Sequence, residues 1–210
     1  VAGLVVWLDA DAITGLSDTD TVTTWENLAE TETYTSTGTP TYHTNVQNGL
    51  PVVRFGASSH LDGTVSRTLK PCTIFVAMKW GAVGGTRVVI GNVAGNGAMN
   101  YRQSSSKQNM LSEALVNIAS STSNVVTTPA VYDASYGSAG AWLFGLNGTD
   151  DGSGTNDQTI SAAVVCIGAR DSGNEILGSG DVYEILIYDN LVSSGDRTAI
   201  RDYLTAKWGI

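Results

Sequence analysis

The stretch Gly180 to Asp189 near the chain's end, GDVYEILIYD, most constrains what this sequence can fold into. Read as a strand, it puts Tyr183, Ile185 and Ile187 on one face and Glu184, Leu186 and Tyr188 on the other. Neither set is strongly polar, so the strand is expected to be covered on both sides. Ser193 then caps a helix, with Asp196 three residues on in the place of the capping-box acid. Ile200, Tyr203 and Leu204 form an apolar stripe along the helix, which is expected to run to Lys207. Gly209 stops it in the favoured position after the last turn. A long central strand closed by one packed helix implies a sheet protein whose last element seals the edge of its core.

The rest of the chain supports a strand-rich reading. Of 210 residues, 42% are hydrophobic and 15% charged, with 24 glycines. That suffices for one sizeable core under a surface of neutral polar groups, and abundant Thr, Ser, Gly and Asn favour strands and turns over helices. A net charge of −9 makes a nucleic-acid backbone an unsuitable partner. No apolar run approaches the ~20 residues of a spanning helix, so no membrane insertion is expected. The chain opens at Val1 without Met, as a processed chain or an excised domain would. Cys72 and Cys166 both sit in apolar strand-like runs, where a buried free thiol is favoured over a disulfide.

In order, Leu4 to Asp11 reads as a first strand running into an acidic turn and carries Trp-Leu-Asp-Ala. Val22-Thr-Thr-Trp25 follows, then an irregular Thr-rich stretch from Thr31 to Gln47. Asn48-Gly-Leu-Pro-Val-Val-Arg-Phe55 and a short strand from Leu61 come next. Thr73 to Trp80 is the strongest central strand, with Pro71 just before it. Arg87 to Gly91, Met99 to Gln103, Met110 to Ala119 and Asn124 to Thr128 read as further strands. Asn147-Gly148 is a hairpin turn, since both residues tolerate positive φ. Asp150 to Asp157 reads as a Gly- and Asp-rich loop, and Ser161 to Ala169 as a strand ending Ile-Gly-Ala-Arg170. Twelve to fourteen short strands at this spacing suit a sandwich.

These pieces, with the terminal Gly-Asp-Val-x-Glu-Ile-Leu-Ile-Tyr-Asp and the helix ending Tyr-Leu-x-x-Lys-Trp-Gly, resemble in content and order the laminin-G-like jelly-roll domains of the concanavalin A-like superfamily. Such domains are common in bacterial surface proteins and virion proteins. The resemblance covers nearly all of the chain. It implies one all-β domain over residues 1–210, a concanavalin A-like β-sandwich of two antiparallel sheets with a short C-terminal helix.

Three chemistries bear on such a chain. Some jelly rolls of this superfamily are glucanases with Glu-x-Asp-x-x-Glu on one strand, because the reaction needs paired carboxylates about 5 Å apart. This chain has no such strand: Glu184 stands alone, flanked by Val182 and Leu186, and reads as an acceptor of backbone hydrogen bonds or a partner for Arg. A second carboxylate would have to come from another strand, for instance the Asp9/Asp11 turn. No catalytic residue is assigned. His43 and His60 read as surface residues of separate loops, and the glycine-rich Asn92 to Gly97 lacks the Lys-Ser/Thr of a phosphate loop. For calcium, Asp150, Asp151 and Asp157 offer hard oxygens in one loop, against the plainer reading of acidic turns in water. For sugar, Tyr34, Tyr42, Tyr101, Tyr132 and Tyr136 lie near loops and could stack on a ligand, whereas Trp7, Trp25, Trp80 and Trp142 read as core. Asn147-Gly148-Thr149 is formally a glycosylation sequon that the hairpin turn explains as well.

The resemblance therefore implies a non-catalytic, lectin-like carbohydrate-binding module on an extracellular or virion surface, with a surface glycan as partner. The alternative is a structural virion protein, a capsid decoration or fibre subunit, binding neighbouring protein subunits. A glycoside hydrolase is the third and weakest reading.

Overall fold

The computed structural model describes residues 1–56, 58–93, 100–112, 116–170 and 175–210. The expected strands at Met99 to Gln103 and Met110 to Ala119, and the glycine-rich stretch 92–97, run partly outside these residues. The strands are β1 (Leu4–Asp9), β2 (Thr24–Glu26), β3 (Thr33–Thr37), β4 (Thr41–Gln47), β5 (Leu50–Phe55), β6 (His60–Arg67), β7 (Cys72–Trp80), β8 (Thr86–Asn92) and β9 (Asn100–Ser104). They continue as β10 (Lys107–Leu111), β11 (Asn117–Asn124), β12 (Ala130–Tyr136), β13 (Ala141–Leu146), β14 (Thr149–Thr155), β15 (Ala163–Ile167), β16 (Ala169–Arg170), β17 (Glu175–Ile176) and β18 (Gly180–Tyr188). One helix, α1 (Ser194–Trp208), ends the chain. The count exceeds the sequence expectation because β16 and β17 are two residues each, and because two stretches expected to be irregular are paired: Thr31 to Gln47 carries β3 and β4, and Asp150 to Asp157 is strand β14 as far as Thr155.

Two eight-stranded sheets carry the fold. The first runs β14-β13-β12-β7-β18-β5-β4, with β1 also paired to β18, and the second runs β11-β10-β9-β8-β15-β6-β3-β2. A separate two-stranded ribbon joins β16 to β17. β18 lies at the centre of the first sheet. It pairs with β7 along its length, and on its other side with β5 at Gly180–Val182 and β1 at Glu184–Tyr188. All nine of its residues are buried. One face lies on the sandwich core and α1 crosses the other, which is why neither face of the sequence is polar.

Alternation then decides what points where. On β12, Tyr132 points into the core and meets Trp80, while Asp133 points to the helix and meets Arg197 and Arg201. On β18 the alternation slips once. Val182 is opposite Met78 and Glu184 opposite Ala77, so Tyr183 is an extra residue, a β-bulge. Its consequence is that Tyr183 and Glu184 both face the helix: the Tyr183 ring lies 5.3 Å from that of Trp208, whose indole also bonds Glu184. Tyr183 therefore does not share the face of Ile185 and Ile187.

The helix is capped as its sequence dictates. The Ser193 side chain accepts from the Asp196 amide, and Gly209 closes the C-terminus at φ 63°. Gln47 and Asn48 add side-chain bonds to the last carbonyls, on Trp208 and Lys207. Instead of sealing an edge, α1 lies across the outer face of the first sheet, held at one end on β12 and at the other on β18. Ile200, Leu204 and Trp208 are its buried stripe, and Tyr203 is 41% exposed.

Candidate ligand groove under the terminal helix

Glu184 is fully buried between β18 and α1 and accepts from four side chains. Trp7 Nε1 and Tyr203 Oη donate to Oε1 at 2.8 and 2.9 Å. Trp208 Nε1 donates to Oε2 at 2.9 Å, and Lys207 Nζ is 3.1 Å from the same oxygen. Lys207 also bonds Asp9 Oδ2 at 2.5 Å. Asp9 lies directly opposite Glu184 across β1 and β18, so the second carboxylate that the sequence left open does come from the Asp9 turn. An ammonium sits between the two. Burial alone would lower the Lys207 pKa, but bonds to Asp9 and the charge of Glu184 outweigh it and hold the ammonium above its usual range. The Tyr203 hydroxyl is pushed up to about 12, first by burial and then by the charge of Glu184. Glu184 is thus a structural acceptor, as its isolation on the strand suggested, with indole, phenol and ammonium donors in place of backbone or Arg.

Trp7 and Tyr203 are brought together by bonding the same oxygen, and both line one groove. The groove is open, with a volume of about 330 Å³. Leu186 and Tyr188 form its floor, Leu4 and Trp7 one wall, and Ala199, Ile200 and Tyr203 the other. The Tyr188 ring is pinned edge-on against Phe75, with centroids 6.2 Å apart. The Tyr188 side chain is 3% exposed, and its hydroxyl has no hydrogen-bond partner among the described residues. Such a groove can take a flat, partly apolar ligand by stacking, and it offers few hydrogen bonds.

At the other end of the helix, buried Asp133 receives Arg201 Nε at 2.9 Å and Arg197 Nε at 2.5 Å. Arg201 Nη2 bridges on to Asp150 at 2.9 Å. Gly145 lies beneath this cluster, where an added Cβ would stand 2.1 Å from Asp133 Oδ1. This cluster fastens the helix to β12 and leaves no cation free.

The sequence-derived candidates fare differently. Tyr34, Tyr101, Tyr132 and Tyr136 are fully buried and Tyr42 nearly so. Their hydrophobic neighbours place them in the core. They present no ring face to solvent, so none of the five can stack on a ligand here. The three aspartates do not gather around one point either. Asp150 is bonded to Arg201, Asp151 accepts from the Ser123 amide at 2.7 Å, and Asp157 holds Lys70 at 2.5 Å. No group of three carboxylate, His or Cys side chains that could hold a metal occurs among the described residues. Trp25 and Trp80 are core as expected, whereas Trp7 is only partly buried and lines the groove. His60 is buried beside Asp62, at 3.4 Å, and is not a surface residue. Cys72 and Cys166 are free buried thiols. Nothing in the sequence marks Trp7, Tyr188 and Tyr203 as groove residues, because each reads as part of a strand or helix interior. Their one shared feature is that each falls on the face of its element that also carries Glu184 or its partners.

No protein-family model matches the sequence, and no curated protein matches it. Solved structures match the fold. The receptor binding domain of botulinum neurotoxin C/D mosaic serotype aligns with TM-score 0.68 and 8% identity over 96% of this chain and 51% of that one. A structure of botulinum neurotoxin type C, described as interacting with two ganglioside molecules, aligns with TM-score 0.66 and 10% identity over 96% and 51%. Trypanosoma rangeli sialidase aligns with TM-score 0.65 and 12% identity over 99% and 33%. The chain spans about half the length of the toxin chains and a third of the sialidase chain. At these identities the likeness carries the fold alone: the chain is a β-sandwich of two antiparallel sheets with one short C-terminal helix.

Proposed function

We propose that this protein is a non-catalytic carbohydrate-recognition module acting at an extracellular or virion surface, and that the groove under the terminal helix is its sugar platform. The observation that carries this reading is the pair of aromatic side chains, Trp7 and Tyr203, bonded to one carboxylate oxygen and lining one open groove. A sugar ring has one face rich in C–H groups, and aromatic planes of this kind receive it. The fold shared with a ganglioside-interacting toxin structure is compatible with it.

Hydrolysis is disfavoured by the same geometry. A retaining pair needs two carboxyl groups about 5 Å apart and open to substrate, with one free to move a proton. Glu184 and Asp9 are neighbours, but both are buried, both are bridged by Lys207, and Glu184 already accepts four donors. A glycan array probed with the wild type and with Tyr203→Ala tests the proposal. The wild type should retain a defined set of glycans, and Tyr203→Ala should lose them while keeping its circular dichroism and its cooperative unfolding. Retention of no glycan, or reducing-sugar release by the wild type, would overturn it.

A further inference from the structure

The groove's electrostatics say which sugars suit it. Its two walls spend their polar atoms internally, since Trp7 Nε1 and Tyr203 Oη both point to Glu184 Oε1. The Tyr188 hydroxyl remains to bond a ligand. Around it the charge is negative. Asp196 belongs to the first turn of α1, one turn before the lining residues Ala199 and Ile200. Its carboxylate lies close enough to raise the Tyr188 pKa, second to burial. Asp189 follows Tyr188 directly, and its Oδ1 lies 2.7 Å from where a Cβ on Gly3 would stand, beside lining residue Leu4. Asp202 is exposed next to Tyr203. The cation at this site, Lys207, is committed to Asp9 and Glu184. Arg197 and Arg201 are committed to Asp133 and Asp150 on the far side of the helix. A chain of net charge −9 adds to the same sign.

We infer that the groove selects amino sugars bearing a free ammonium group, and rejects acidic ones. The C–H face of the ring stacks between Trp7 and Tyr203, a ring hydroxyl meets the Tyr188 hydroxyl, and the ammonium points to Asp196. An N-acetylated sugar keeps the stacking and loses the charge. A carboxylated or sulfated sugar adds repulsion from the three aspartates, with no uncommitted cation at the groove among the described residues to offset it. This rests on the groove being a sugar platform, and the experiment separates the two claims.

Isothermal titration at low ionic strength would compare a glucosamine tetramer, an N-acetylglucosamine tetramer and sialyllactose against the full chain. The glucosamine tetramer should bind about fivefold more tightly than the acetylated one, the worth of a well-placed exposed ion pair. Sialyllactose should bind weakest. The preference should shrink in ~1 M salt, where screening acts within about 3 Å. Asp196→Asn, at a half-exposed position where the amide still suits a first helical turn, should erase the preference and leave N-acetylglucosamine binding as it was. Equal binding of both tetramers, or tighter binding of sialyllactose, would overturn the selectivity and leave the platform standing. Binding of all three that survives Tyr203→Ala would overturn the platform itself.

Discussion

Replacing Glu184 with Gln tests whether this residue is structural. The carboxylate accepts two donors on each oxygen: Trp7 and Tyr203 on one, Trp208 and Lys207 on the other. A glutamine keeps one oxygen and turns the other position into an NH2 group. The better orientation leaves the oxygen facing Trp208 and Lys207, because an ammonium cannot accept a bond, whereas the Tyr203 hydroxyl can rotate and do so. Trp7 Nε1 then loses its acceptor in a half-buried site, at about 1–3 kcal/mol, and the Lys207 bond falls from charge-assisted to ordinary, at about 1 kcal/mol. The sum is about 3 kcal/mol. For a chain of this length that is a fall in Tm of about 6–12 °C. Urea unfolding followed by tryptophan fluorescence would measure it, with the m-value unchanged if only the native contacts are affected. Tyr203→Phe, which removes one neutral donor, should cost about 1 kcal/mol. A loss below about 1 kcal/mol for Glu184→Gln would refute the account of Glu184 as the hub that holds helix to sheet.

Three further outcomes follow from the same geometry. Asp133→Asn leaves Arg197 and Arg201 buried with half their counter-charge and should cost about 3–5 kcal/mol by chemical denaturation, far more than a surface pair would. The Tyr132 and Tyr203 hydroxyls are both pushed up to about 12, by burial first, from a usual 10.0. Their contribution to stability is therefore complete below pH 10 and is lost as pH climbs from 10 towards 12, so tyrosinate absorbance and loss of circular dichroism should rise together. Tyrosinate absorbance that saturates while the fold is intact would contradict it. Millimolar calcium should leave the Tm unchanged, because Asp150, Asp151 and Asp157 each hold a different partner; a rise that Asp151→Asn abolishes would restore the calcium reading.

Much of this molecule is legible in its sequence. Helix α1 needed only Ser193, Asp196 and Gly209, because caps are local and act through neighbouring backbone groups. The burial of β18 on both faces followed from the absence of a polar face, and the Asn147-Gly148 turn from two residues that tolerate positive φ. Period-two alternation sorts side chains into two faces, and that too was legible. What alternation leaves undecided is which face meets which layer. Tyr132 and Tyr136 look identical in sequence whether they point to solvent or to the core; only the second sheet, folded over them, makes them core. The bulge at Tyr183 is invisible because it depends on register against β7, not on composition. Glu184 draws on Trp7, Tyr203, Lys207 and Trp208, two chain ends brought together by the pairing of β1 with β18. The groove exists because a helix crosses a sheet there, and a contact between elements so far apart in the chain leaves no periodic trace in either one.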